Sequence, residues 1–282
     1  MSASAPTLDR PSPVARTRPV YAGGRVSQLG ALRSEWTKLY SLRSTRYSLL
    51  ATLVMTIGFG IIASAVTVSR WATMSAADKA SFDPLTTSLL GVRFGVLALG
   101  VLGVMLITGE YSTGMIRSTM AAVPKRLPVL WGKTVIYAAV ALAITVPAVF
   151  IAFFAGQAIL SGQHLQIAFS QAGVPGAVVG AAGYLTLVGL FAMGLGAILR
   201  NTAGGIATFA GIMFVVPPLI SILPTSVANS IDPYLPNNAG EAMMRVGQHA
   251  NVLSPGAGAA VLAGYVAVVI AIAAVLLIRR DV

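Results

Sequence analysis

Cysteine is absent from all 282 residues. That excludes a disulfide framework, thiolate nucleophiles and zinc–thiolate sites. Histidine is nearly absent: His164 and His249 stand alone, with no second ligand at metal spacing, and both read as structural or solvated. Charge is scarce too. Only 10% of residues are charged, where a soluble domain carries about 25%. A chain this long could bury a large core, but these few charges cannot clothe one.

What fills the sequence is apolar: 56% hydrophobic residues and a mean hydropathy of +0.82. Six apolar runs stand out, at about 47–69, 89–108, 134–156, 175–199, 204–223 and 259–278. Each is about as long as a bilayer's hydrocarbon layer requires, roughly 20 residues. Backbone groups in lipid must be satisfied within the segment, so each run reads as a helix. The expected fold class is therefore an all-α membrane protein with six transmembrane helices.

The acidic residues are few, eight in all, and none lies in the six runs as bounded here. An intramembrane carboxylate is the usual mark of proton or ion coupling. Its absence from the runs disfavours a proton-driven secondary transporter. No G-x-S-x-G motif occurs either. Gly132-Lys133-Thr134 imitates the end of a P-loop, but Leu127 occupies the place of its first glycine and no strand precedes it. The expectation is a chain that binds no cofactor and is not itself an enzyme.

Basic residues set the expected orientation. With the N-terminus in the cytoplasm, 15 of the 19 lysines and arginines fall on the inner side, leaving Arg70, Lys79, Arg93 and Arg245 outside. The net charge of +11 then reflects topology and contact with anionic lipid. Nucleic-acid binding is disfavoured, because the basic residues are scattered and lack interleaved aromatics. The predominance of arginine over lysine suggests a high-GC bacterial genome.

Residues 1–28 are rich in Ser, Pro, Ala and Arg and lack the apolar core of a signal peptide. They read as a disordered basic cytoplasmic tail, either a spectator or an arm touching lipid head groups. From about 29 to 46 the pattern changes. Leu29, Leu32, Trp36, Leu39 and Tyr40 recur at helical spacing opposite Arg33, Glu35 and Lys38. This predicts a short amphipathic helix in the inner interface, with Trp36, Lys38, Tyr40 and Arg43 at its surface.

The segment 109–133 is the polar, mixed-charge connection on the expected cytoplasmic side. Thr108-Gly109 reads as the loosened end of the second span, and a short helix is predicted from Glu110 to Pro124. Lysine and arginine would suffice for a positive-inside loop; Glu110 is the anomaly. Outside, Arg93 reads as a snorkelling side chain or a substrate-facing one. Gly176 and Gly180 open a small-residue pattern suited to close helix packing. Pro217 and Pro218 interrupt the fifth run and kink it, as a hinge or simply as shape. The long connection 224–258 reads as an outer cap or a re-entrant turn. Within it Glu241 and Arg245 are expected to pair at i,i+4.

Three stretches carry a family resemblance: LRSEWTKLYSLRSTRYS (Leu32–Ser48), ITGEYSTGMIRSTMAAVPKR (Ile107–Arg126) and YLPNNAGEAM (Tyr234–Met243). With the six-run layout they resemble the transmembrane subunits of ABC-2 type ABC transporters, especially small six-span actinobacterial permeases. The middle block is the most specific, and the likeness extends over about 29–280. It implies the ABC-2 exporter fold in a bacterial cell membrane, with both termini cytoplasmic. It further implies an interfacial connecting helix at 29–46 and a coupling helix within 110–126 that contacts a separate ATPase. Glu110, Tyr111, Thr113, Arg117, Lys125 and Arg126 are the coupling candidates on that likeness. Two ATPase copies would carry ATP and Mg, and a second copy of this chain or a similar permease would complete the pathway. Export of a lipid-like, peptide or drug-like substrate follows from the likeness alone. The competing expectation is a membrane-embedded signalling or resistance-sensing protein with no transport of its own.

Overall fold

The computed structural model describes residues 43–116, 127–247 and 251–279, and all of its regular structure there is helical. The elements run α1 Arg43–Arg70, α2 Ala76–Ala80, α3 Pro84–Ser88, α4 Gly91–Ser112, α5 Leu127–Leu160 and α6 Val174–Leu199. They continue with α7 Thr202–Ala210, a π-helical turn Gly211–Val215, α8 Val216–Ile220, α9 Thr225–Ile231, α10 Pro236–Ala242 and α11 Pro255–Arg279. Among the described residues six stretches are long and apolar enough to cross a membrane: Ser44–Thr73, Gly91–Ser112, Leu127–Gln163, Val174–Leu199, Thr202–Ile220 and Pro255–Arg279. The chain is a multi-pass, all-helical membrane protein.

The helices alternate in direction and so define two ends. The near end holds the end of α4, the start of α5 and the connection after Leu199. The far end holds 71–90, 161–173, 221–247 and 251–254.

Helix α6 is the hub, packed against α4, α5, α7, α10 and α11. Its most apolar window is 78% buried, against 17% for Thr202–Ile220. Glycine makes this possible, because a missing Cβ lets backbones approach. A Cβ at Gly189 would strike the Tyr137 hydroxyl, one at Gly194 would strike Val269, and one at Gly180 would strike the Met243 carbonyl. Gly176, the first member of the expected glycine pattern, meets nothing.

Helix α1 contributes a ladder of small polar residues. Thr45, Thr52, Thr56 and Ser64 are all buried on one face. The hydroxyls of Thr52 and Ser64 donate to the carbonyls of Ser48 and Gly60, each at 2.9 Å, so they hide their polarity within the helix. Gly91 of α4 then lies against the Thr56 carbonyl, and Gly60 of α1 against that of Ser88.

The element ends differ from those read in the sequence. Helix α5 begins at Leu127 rather than 134, and Pro128 sits in its first turn, where no intrahelical N–H is lost. Helix α4 does not loosen at Thr108-Gly109. It runs on to Ser112, with the Thr108 hydroxyl folded back onto the Val104 carbonyl at 3.0 Å. Residues 43–46, expected in an interfacial helix, form the first turn of α1. The rest of that expected helix and the tail lie outside the described residues, as does 117–126 of the expected coupling segment.

Candidate functional site

The near end gathers the chain's most unusual chemistry. Glu110 sits in the last turn of α4, and Lys133 two turns into α5. Both are about 95% buried, and the Lys133 ammonium donates to Glu110 Oε1 at 2.8 Å. Two ions out of water require each other. The pair therefore clamps together the two helices that flank the 113–126 connection.

Around it other polar contacts tie in more helices. Arg200 closes α6 with a left-handed backbone (φ 54°), its N–H donating to the Gly196 carbonyl at 2.9 Å. Its guanidinium lies over the Tyr111 ring, 5.0 Å from the centroid, and donates to the Leu276 carbonyl of α11 at 3.4 Å. Asn201 caps α7 through the Gly204 N–H at 2.8 Å. The Thr202 hydroxyl donates to Thr108 at 2.8 Å, joining α7 to α4. A cavity of about 20 Å³, the size of a single water, lies between Glu110, Tyr111, Lys133, Ala197 and Leu277. Five of the six spans thus meet in one polar cluster.

At the far end, Arg93 at the start of α4 donates to Glu241 of α10 at 3.1 Å. The Tyr184 hydroxyl of α6 donates to Asn237 Oδ1 at 2.8 Å, and Asn237 in turn reaches Glu241 at 3.4 Å. Gly240 lies flat against the Tyr184 ring, and Gly258 against the Ala239 carbonyl. Helix α10 is therefore folded down onto the bundle against α6 and α11. In the first far-end connection Gln157 holds α3 to α5, donating to Pro84 and Ser88 at 3.1 Å each.

No protein-family model matches the chain, and no curated protein matches it.

The site residues expected from the sequence scatter across this frame. Glu110 is not on an exposed loop but buried within the second candidate span. Its lack of exposure follows from its partner: an acid facing Lys133 is held inside, whereas a docking acid would face water. Tyr111 is half-buried beneath Arg200. Thr113 is exposed, and its hydroxyl donates to the Gly109 carbonyl at 2.8 Å. Arg117, Lys125 and Arg126 lie outside the described residues, as do Trp36, Lys38 and Tyr40; Arg43 begins α1. Because Glu110 stands inside a span, the premise that no span carries an acid is corrected.

Arg93, expected to snorkel or to face a substrate, is half-exposed and pairs with Glu241 of α10. The expected i,i+4 pairing of Glu241 with Arg245 is absent, because α10 ends at Ala242 and Arg245 lies past it. Pro217 and Pro218 form the first turn of α8, after the π-helical turn in which Val216 N–H reaches the Gly211 carbonyl. The residues four and five positions after Met213 are both proline. Its carbonyl therefore receives no N–H from the helix.

Sequence reasoning missed Lys133 and Arg200 as site residues. Lys133 was absorbed by the false P-loop, and Arg200 by the positive-inside count. Their one legible signal is position. Each charge abuts a long apolar run, where a partner inside the bundle is needed.

Proposed function

We propose that this chain is the transmembrane subunit of an ATP-driven transporter of the ABC-2 type, an exporter energised by a separate ATPase. The observation that carries the reading is the buried Glu110–Lys133 pair. It makes the two helices flanking the 113–126 connection one mechanical unit, so a push on that connection would move both. Arg200 and Thr202 would pass the motion to the remaining near-end contacts. Beside the pair, Ser112, Thr113, Gly114 and Met115 are exposed, a surface that a soluble partner could grip.

Charge supports the same orientation. The far-end side of the sequence holds four basic and four acidic residues, while the whole net charge of +11 falls on the near-end side. The near end would then face the cytoplasm of a bacterial cell. The reading takes the Glu110–Lys133 contact at 2.8 Å as a mechanical link between α4 and α5. ATP and Mg would be bound by the partner. A second copy of this chain, or a similar permease, would complete the path.

The test is purification from native membranes at native expression, with mass spectrometry and an ATPase assay. The expected result is one ATPase in near-equal amount, with hydrolysis abolished by mutating that partner's own P-loop. Met115→Asp on the exposed surface is expected to lose the ATPase while the permease still inserts. Recovery without any ATPase refutes the transporter reading and favours the signalling one.

A further inference from the structure

The far end carries a second feature, independent of any ATPase. Between the first connection and the start of the stretch after α10 lies a cavity of about 530 Å³. That volume falls in the ligand-site range of roughly 300–1,000 Å³. Its lining includes Asp78, Ser81, Phe82, Asp83, Thr86 and Arg245. Thr67, one turn before the end of α1, also lines it, so the cavity adjoins the far end of the first candidate span.

The charges in the lining are divided. Asp78 accepts from the Ser75 hydroxyl at 2.7 Å. Asp83 accepts from the Leu85 and Thr86 N–H groups at 3.0 and 3.3 Å and from the Thr86 hydroxyl at 2.5 Å. Neither carboxylate makes an ion pair among the described residues, and each ionised carboxylate offers about four acceptor sites. The nearby cation does not neutralise them, since Lys79 lies over the Trp71 ring at 5.5 Å. On the other wall Arg245 is exposed and makes no ion pair among the described residues, because Glu241 is engaged by Arg93. Two carboxylates and hydroxyls thus face one guanidinium across a roomy, partly apolar hollow.

We propose that this cavity binds the zwitterionic head group of a phosphodiester bearing a primary amine. Arg245 takes the phosphate through its paired N–H donors. The ammonium donates its three N–H bonds to Asp78, Asp83 and the hydroxyl oxygen of Thr86, which itself donates to Asp83. A quaternary amine has no N–H to donate and is disfavoured. An anionic head group without an amine meets the two carboxylates and is repelled.

Purified protein is delipidated, offered equimolar phosphatidylethanolamine, phosphatidylcholine and phosphatidylglycerol, and read by native mass spectrometry. Phosphatidylethanolamine is expected to be retained over the other two by about tenfold, the worth of a charge-assisted bond. Arg245→Gln lowers that retention by a similar factor. The double variant Asp78→Asn with Asp83→Asn brings it to the level of the other lipids, while asparagine keeps the helix caps. Unchanged thermal unfolding of these variants shows that the fold is intact. Soluble glycerophosphoethanolamine separates the sources: displacement of the lipid means the head group alone is read, and lipid retention without displacement means the acyl chains are also held. Equal retention of all three lipids, or indifference to both variants, overturns the proposal.

Discussion

Removing Lys133 is expected to damage this protein more than removing the pair it belongs to. At 2.8 Å the attraction in an environment of effective dielectric 20 is about 6 kcal/mol, offset by several kcal/mol of lost hydration per ion. The pair is therefore close to neutral as a whole. Lys133→Met strands Glu110 in the bundle, and breaking a buried pair from one side costs about 3–5 kcal/mol. The variant carrying both Glu110→Leu and Lys133→Met leaves no stranded ion and is expected to be less destabilised than Lys133→Met alone. Both residues make further contacts, so single substitutions report more than the pair, and a double-mutant cycle is needed to isolate it. Unfolding in mixed detergent and dodecyl sulfate micelles, followed by tryptophan fluorescence, gives the four free energies. A coupling of about 1.5 kcal/mol or more is expected, above the roughly 0.6 average of intramembrane hydrogen bonds. The charge-swapped variant, Glu110→Lys with Lys133→Glu, should recover stability that Glu110→Lys alone loses by setting two ammonium groups face to face. Additive single substitutions, with coupling under about 0.5 kcal/mol, would refute the reasoning.

Gly189→Val drives a side chain into the Tyr137 hydroxyl and is expected to cost about 1–3 kcal/mol in the same assay, whereas Gly176→Ala, facing open space, is expected to be neutral or slightly stabilising. Arg93→Gln should cost only about 0.2–1 kcal/mol, because half of that side chain is exposed; a larger loss would mean that the seating of α10 depends on this ion pair. The native chain has no cysteine, so single cysteines report topology without background. At positions 79 and 245 they should be labelled from outside the cell and at 125 only from within; labelling of all three from one side would overturn the alternation of the spans.

The six spans were legible because bilayer thickness and composition act on every residue of a run, and no partner need be known to see them. The ends were not. A charge at the edge of a run reads as loop unless its partner is known, and the partner is distant in sequence: 23 residues separate Glu110 from Lys133, and 148 separate Arg93 from Glu241. Local rules then compete and win on paper. Glu241 was assigned to Arg245 by the i,i+4 rule, which holds only while a helix continues, and α10 stops one residue after the acid. Pro128 falls within the connection 109–133 that the sequence predicts, yet in the first turn of a helix proline has no bond to break.

Glycine was legible as a class but not residue by residue. Gly176 and Gly180 share a motif, yet only Gly180 meets another backbone, since only its turn of α6 lies beneath the stretch that follows α10. Which small residue bears the contact depends on where an outer connection folds back, and that depends in turn on Tyr184 reaching Asn237 across 53 residues. The near-end cluster follows the same logic. Four helices other than α4 place a charge, hydroxyl or carbonyl at one level, and only their convergence distinguishes a buried Glu110 from the exposed acid that its neighbours in the sequence suggest.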